Sequence, residues 1–429
     1  MSHLFWGGAD CVKLAERFGT PLYVLDEAVI QERCSEVRRD FLSRWKNTTA
    51  CYAGKAFLTR AMVRLMDREG RGLDVVSLGE LHTALSAGFP PERIELHGNA
   101  KSVTELTRAL EVGVGRIIVD SPMELEVLGA LAEGLGRRAR ILLRVAPGIS
   151  AHTHAYITTG QTGSKFGIPV EGNMLTEVVK SALSRKGLEL MGLHFHVGSQ
   201  IFEPDVHRES VVRVVEAASR LKKETGFEMR EINFGGGYGA RVNPSEPHVP
   251  LALFTDAMMG ALEERCAALG LECPSAAIET GRWIVSEAGI TLYRVETVKE
   301  LPGVTYVAVD GGMADNPRHP LYNALYDAVS AERPHASATP REGTHVSLVG
   351  KCCESGDVLI EDSHLPAVRR GEILAVYNTG AYTFSMAGNY NRLCRPAVVL
   401  VHEGMAELMV KRQTPDDLLS GDLIPNHLA

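Results

Sequence analysis

The chain of 429 residues, 45% hydrophobic and 23% charged, is long enough for two domains, or for one barrel of about 250 residues with a second unit beside it. Its net charge of −8 argues against a polyanion such as nucleic acid as partner, because such binders concentrate Lys and Arg on one face. No apolar run reaches the roughly 18 residues of a membrane span, so no membrane partner is expected.

The first ten residues lack the basic-then-apolar pattern of an export signal. The eight cysteines, at 11, 34, 51, 266, 273, 352, 353 and 394, show neither zinc-binding spacing nor a dense disulfide framework. A reducing cytoplasm and no metal are therefore the expectation.

In chain order, residues 20–25 (Thr-Pro-Leu-Tyr-Val-Leu) read as a strand that precedes the main repeat. From about 48 to 282, short apolar runs alternate with segments of helical period, the pattern of repeated βα units. The runs fall at 50–54, 73–77, 94–98, 116–120, 139–146, 190–198, 231–236 and 276–281, and these eight strands suggest a (β/α)8 TIM barrel. Segments such as 123–135 and 210–225 supply outer helices, with glycine commonly closing them. An open doubly wound sheet fits fewer of the eight units, but a strand count does not exclude it. Beyond 283 the texture turns β-branched, at 290–298, 305–309, 345–349, 373–377, 397–402 and 406–411, which implies a second, mainly β C-terminal domain. The strand at 20–25 is placed with it, so the division becomes 28–282 for the barrel and 1–27 with 283–429 for the β-rich domain. The proline-bearing stretch 334–340 reads as a loop.

In such barrels the reacting groups sit at the carboxyl ends of the strands, and here those ends are unusually polar. Strand one runs out into Lys55, where partial desolvation lowers an amine's pKa and favours condensation with an aldehyde; an isolated lysine at a strand end is more often simply solvated. Strand two carries Asp74, and strand three ends at His97. Strand six ends in His194-Phe-His196 and then Ser199, where a lone histidine is commonly just hydrogen-bonded in place. The glycines 235, 236 and 237 after strand seven expose backbone N–H groups that suit a phosphate, although a tight turn explains a glycine triplet as well. Glu279 at the end of strand eight suits a protonated ring nitrogen; the plainer alternative is an ion pair with Arg282.

Taken jointly, in order and spacing, these residues resemble the fold type III pyridoxal-phosphate decarboxylases. That is the group with an alanine-racemase-like barrel that includes diaminopimelate, ornithine and arginine decarboxylases. The similarity runs from Thr20-Pro-Leu-Tyr-Val to Thr414-Pro-Asp-Asp-Leu-Leu. It implies pyridoxal 5'-phosphate as cofactor, covalently held by Lys55 of Tyr52-Ala-Gly-Lys55-Ala, and makes 28–282 the cofactor-binding barrel. It implies His196 stacked on the cofactor ring, and Ser199, Gly235, Gly236, Gly237 and Tyr382 at the phosphate. It also implies Glu279 on the ring nitrogen, with Asp74, Gly281 and Arg282 in the same site. In Cys352-Cys353-Glu354-Ser-Gly-Asp357 the acid that returns a proton to Cα falls on Cys353, with Cys352 as a buried neighbour. In the family this loop serves the partner subunit, so a homodimer with shared active sites is implied.

Asn316-Pro-Arg318-His-Pro-Leu-Tyr322 is similar to the diaminopimelate-acting subgroup's motif, which makes Arg318 and Tyr322 substrate ligands, together with Arg282, Glu354 and Tyr382. A guanidinium at 318 suits a substrate with a second carboxylate, because planar guanidinium groups meet carboxylates through paired hydrogen bonds. The implied reaction is decarboxylation of meso-2,6-diaminopimelate to L-lysine and carbon dioxide. The alternatives are a decarboxylase of ornithine, lysine, arginine or a carboxylated polyamine such as carboxynorspermidine, or a non-catalytic cofactor-binding homologue. Two departures from the family pattern, Thr280 and Val398 in place of the usual proline and glutamate, replace side chains with no assigned chemistry.

Overall fold

The computed structural model describes residues 3–149, 164–242, 244–335 and 345–428. Of the stretch 334–340 read as a loop, residues 336–340 lie outside this set. The chain divides into two compact units, one comprising Glu32–Ala240 and His248–Ile284, the other Met1–Gln31, Arg241–Pro247 and Val285–Ala429.

The first unit is built on eight parallel strands, β1 (Thr48–Ala53), β2 (Gly72–Val75), β3 (Ile94–Leu96), β4 (Arg116–Val119), β5 (Ala139–Ala146), β6 (Leu188–His194), β7 (Glu231–Asn233) and β8 (Ser275–Glu279). Each pairs with the next, and β8 returns to β1 in register Ala276↔Thr48 to Glu279↔Cys51. The sheet is therefore a closed (β/α)8 barrel rather than an open one. Closure leaves no row of unpaired backbone groups along β1 and β8.

Local chemistry fixes where strands hand over to helices. Ser77, Ser102 and Ser121 cap the helices Leu78–Ser86, Val103–Val112 and Pro122–Gly134, each side chain accepting an N–H from the third helical residue, Glu80, Glu105 or Glu124. Each cap contributes about 1 kcal/mol and pins a helix start close behind a strand end. Glycines at positive φ, Gly113 and Gly226, close the helices Val103–Val112 and Pro204–Thr225.

His207, on the helix Pro204–Thr225, stacks on Tyr238 at 5.2 Å and meets Phe254 edge-on at 5.4 Å. Burial pushes its pKa down from 6.5 to about 4, only partly offset by backbone hydrogen bonds at Gly236 and Glu203. The unfolded chain takes up this proton near pH 6.5 and the folded one only near 4, so the residue withdraws stability as pH falls through that window. The full effect is about 3 kcal/mol. Denaturant unfolding at successive pH values should show a shallower loss of stability between pH 6.5 and 4 in His207→Gln than in the wild type; equal slopes would contradict the assignment.

The second unit is a mainly β assembly. Its strands are β9 (Gly289–Leu301), β10 (Val304–Val309), β11 (Ala328–Ser330), β12 (His345–Val349), β13 (Val358–Ile360), β14 (Ile373–Val376), β15 (Ala397–His402) and β16 (Met405–Val410). The early strand Leu22–Asp26 is inserted between β9 and β15, antiparallel to the first and parallel to the second. Alternation explains its place: Leu22 and Val24 join Ile290, Leu292 and Val399 in one core cluster, and each such side chain contributes about 1.5–3 kcal/mol on burial. A second cluster forms around Tyr293, Val307 and Leu348. Strands β11 and β13, three residues each, were too short to register as apolar runs. Among the described residues no helix is long and apolar enough to cross a membrane.

Candidate active site

Asp74, Glu95, His97, Arg144, His194, Asn233 and Glu279 are all buried in the barrel unit. Charged and polar groups taken out of water cost several kcal/mol unless compensated, and a barrel core does not need them. Their concentration at the strand ends marks a site with a chemical purpose.

Lys55 lies just beyond β1, on the turn Gly54–Ala56. Burial pushes the Asp74 and Glu279 carboxyls up from the ordinary range, and the Lys55 and Arg144 cations pull both back. Burial likewise drives His97, His194 and His196 well below the usual histidine range, with the Lys55 charge adding to the effect. The lysine, the two acids and the three imidazoles therefore share one electrostatic neighbourhood.

The glycine triplet is demanded by backbone passing close to backbone. A Cβ on Gly236 would stand 2.1 Å from the Glu279 carbonyl oxygen, one on Gly235 2.5 Å from that of Phe195, and one on Gly237 2.2 Å from that of Gly198. Gly235 and Gly237 also hold φ of +66° and +104°, so the turn explanation and the close-approach explanation both apply. Gly281 performs the same service beside Lys55, where a Cβ would meet that of Ala53 at 2.9 Å. The Gly236 N–H donates to His196 Nδ1 at 3.1 Å, which leaves the proton of that neutral ring on Nε2. Arg282 Nε donates to Ser199 Oγ at 3.2 Å.

Glu279 is the centre of the buried set. Its Oε1 lies 3.0 Å from His194 Nε2 and 3.3 Å from His97 Nε2. Asn233 hydrogen-bonds to the Glu279 side chain, donates to Glu95 Oε2 at 2.9 Å, and accepts the Gly235 N–H at 2.8 Å. Both Asp74 carboxylate oxygens, His97 Nε2, both His194 ring nitrogens and Glu279 Oε1 are buried and find no hydrogen-bond partner among the described residues. A phosphorylated pyridine suits these residues: its ring nitrogen answers an orphaned acid, and its phosphate suits a backbone cradle that carries no Cβ. His97, His194 and Glu279 also offer three donor atoms within 4.8 Å of one another, a spacing that a divalent metal accepts.

The remaining residues named from the sequence lie in the other unit. Arg318 is 6% exposed, and its guanidinium is stacked over the rings of Tyr322 at 5.2 Å and Tyr382 at 5.3 Å. Among the described residues no acid forms an ion pair with it. Tyr382 holds a φ of +61°, uncommon for a bulky residue. The two cysteines differ in burial: Cys352 is buried, with its thiol pushed up to about 11 by that burial, whereas Cys353 is exposed. Asp357 accepts the N–H groups of Met313 and Cys352 at 2.6 and 2.7 Å and so shapes the loop, and Asn391 Oδ1 takes the Cys353 N–H at 2.6 Å. Glu354 is exposed, and its Oε1 accepts the Gly356 N–H at 3.2 Å.

Sequence reasoning assigned no role to Arg144, Glu95, Asn233, His97 or His194. The signal was present as polar residues interrupting apolar strands, Arg144 within Ile-Leu-Leu-Arg-Val-Ala and Asn233 within Glu-Ile-Asn. Nothing in the linear chain says that these interruptions converge.

A closed parallel barrel with a lysine after its first strand, a glycine cradle after its seventh and an acid at the end of its eighth defines a pyridoxal-phosphate enzyme of the barrel type. The family model for the pyridoxal binding domain of pyridoxal-dependent decarboxylases matches residues 27–286. The chain belongs to that family, and relatives that match nearly its full length are diaminopimelate decarboxylases. The diaminopimelate decarboxylase of Bacillus subtilis (strain 168) is 44% identical over 422 residues, 98% of this chain and 95% of that protein. The crystal structure of diaminopimelate decarboxylase from M. jannaschii in co-complex with L-lysine superposes with a TM-score of 0.92 at 33% identity, covering 100% of this chain and 98% of the other. The Helicobacter pylori enzyme complexed with L-lysine gives 0.84 at 31% identity, covering 95% and 98%.

Proposed function

We propose that this protein decarboxylates meso-2,6-diaminopimelate to L-lysine and carbon dioxide, with pyridoxal 5'-phosphate held by Lys55. The observation that carries the reading is the placement of Lys55 after β1 within the electrostatic reach of buried Asp74 and Glu279. When bound, the cofactor supplies an electron sink for the pair left behind as carbon dioxide departs. The protein's share is orientation, charge and proton handling. Residues 28–282 form the cofactor-binding part, and 1–27 with 283–429 the β-rich part.

Lys55 would hold the cofactor, His196 would face its ring and Glu279 would hold the ring nitrogen, while Asp74 balances the Lys55 charge. Gly235, Gly236, Gly237, Ser199, Gly281, Arg282 and Tyr382 hold the phosphate side. Arg318, buried and without an acid partner among the described residues, takes the distal carboxylate of the substrate with Tyr322, Tyr382 and Arg282, while Glu354 takes the distal ammonium. A compact ammonium would find no complement at Arg318, which separates this substrate from ornithine. Cys353, the exposed member of the pair, returns a proton to Cα in the active site of a partner subunit, so the working form is a homodimer in the cytoplasm.

The decisive experiment incubates cofactor-loaded protein with meso-diaminopimelate, ornithine, lysine, arginine and carboxynorspermidine in turn. Lysine and carbon dioxide from the first, well above turnover of the others, is the expected outcome. Preference for ornithine would overturn the role of Arg318, and no turnover of any substrate by loaded protein would make the chain a non-catalytic homologue.

A further inference from the structure

A carboxylate can hold a protonated pyridine only while it is itself ionised, and the site around Glu279 works against that. Burial alone favours the neutral acid, and Asp74 and Glu95 press more negative charge into the same interior. Lys55 and Arg144 are the cations that act on it. Beside these cations, two further groups stand against Oε1: the Nε2 nitrogens of His194 at 3.0 Å and His97 at 3.3 Å.

Both imidazoles are neutral in these surroundings, since burial and the cations Lys55, Arg144 and Lys101 oppose a second proton on either ring. A neutral ring has one N–H to place. With Nε2 this close to a carboxylate oxygen, a bare nitrogen would set lone pair against lone pair, whereas Nε2–H offers a donor. Among the described residues no group hydrogen-bonds to Nδ1 of His194, which leaves that tautomer open to the ring. The two contacts are at hydrogen-bond distance but not aligned as hydrogen bonds in the structure. The rings brace each other edge to face with centroids 4.9 Å apart, which limits their movement. Asn233 completes the frame by tying the same carboxylate to the glycine cradle through Gly235.

We propose that His194 and His97 are positioning residues for this reaction: their Nε2–H groups hold Oε1 of Glu279, keeping that carboxylate ionised and aimed at the cofactor's ring nitrogen. The inference rests on the functional reading above, in which Glu279 serves that nitrogen. It makes the buried histidines part of the device that keeps the pyridine protonated, acting through Glu279.

The test is the ring-nitrogen chemical shift of ¹⁵N-labelled pyridoxal phosphate bound to the wild type, His194→Ala, His97→Ala, the double variant and His194→Gln. The signal should move towards that of unprotonated pyridine in each alanine variant and furthest in the double one. It should return in His194→Gln, whose amide supplies an N–H. Turnover should fall about tenfold in kcat for each lost hydrogen bond, with KM for the substrate nearly unchanged. An unmoved ring-nitrogen signal in the loaded His194→Ala or double variant overturns the proposal. So does stoichiometric zinc in the wild type that is lost in His194→Ala, which would make the three side chains a metal site. Should the alanine variants fail to fold, His194→Gln set against His194→Leu decides: equal shifts in the two overturn the role. A wild type that binds no cofactor removes the functional reading as well, whereas a loaded, active wild type with unmoved variants removes only the role of the histidines.

Discussion

Lys55→Ala is expected to erase the visible absorption of the bound cofactor and to lower kcat by about 10⁴-fold or more, the scale seen when the covalent group of an active site is removed. The structure gives a reason for expecting loss of attachment without loss of fold. Lys55 stands on a three-residue turn beyond β1, and the packing of that turn is carried by its neighbours, the buried Ala56 and Phe57 with Tyr52, whose hydroxyl donates to the Phe57 carbonyl at 2.7 Å. Truncation also removes the cation that lowers Asp74 and Glu279, so both acids should bind protons more readily in the variant. Absorbance spectra and single-turnover assays on purified protein check the result. A visible band that survives dialysis in Lys55→Ala would mean that another amine carries the cofactor.

Arg318→Met should lower kcat/KM for meso-diaminopimelate by about 10²–10³-fold while leaving the cofactor spectrum intact. That corresponds to roughly 3–4 kcal/mol, within the range for removing one member of a desolvated, hydrogen-bonded charge pair. Methionine keeps much of the volume between the Tyr322 and Tyr382 rings, so the loss reports on charge more than on packing. Arg318→Lys should recover little, because an ammonium lacks the planar pair of donors that meets a carboxylate and stacks less well between aromatic faces. Steady-state kinetics with saturating cofactor provide the measurement. Equal kcat/KM in wild type and Arg318→Met would place the distal carboxylate elsewhere.

The parts of the fold that could be read from the chain are those governed by local period. The eight barrel strands appear where apolar runs stand, and the helical period over 123–135 and 210–225 reappears in the helices Pro122–Gly134 and Pro204–Thr225, the second starting six residues earlier than the period showed. In the second unit the β-branched run over 397–402 reappears as β15, and the early Thr-Pro-Leu-Tyr-Val-Leu run supplies a strand at its core. The reactive lysine, the glycine triplet and the terminal acid were visible because each departs from what a strand end ordinarily carries.

Closure of the barrel was expected from the count of eight strands, and the pairing of Ala276 with Thr48 bears it out. Cys352 was likewise expected to be the buried neighbour of Cys353, and it is buried beside the exposed Cys353 on the loop that Asp357 ties down. What escaped the linear reading was the convergence of Arg144 and Asn233, given no role in the sequence, with Asp74 and Glu279 in the barrel interior.

The chain by itself thus determined the periodicities and the chemical types available at each strand end, since these depend on neighbours within a few residues. Tertiary structure alone decided which of those groups meet, and that two histidines press against Glu279. Proximity among residues more than a hundred positions apart is set by long-range strand pairing, and Coulomb energy and desolvation depend on distance and burial, neither of which is written in the order of residues.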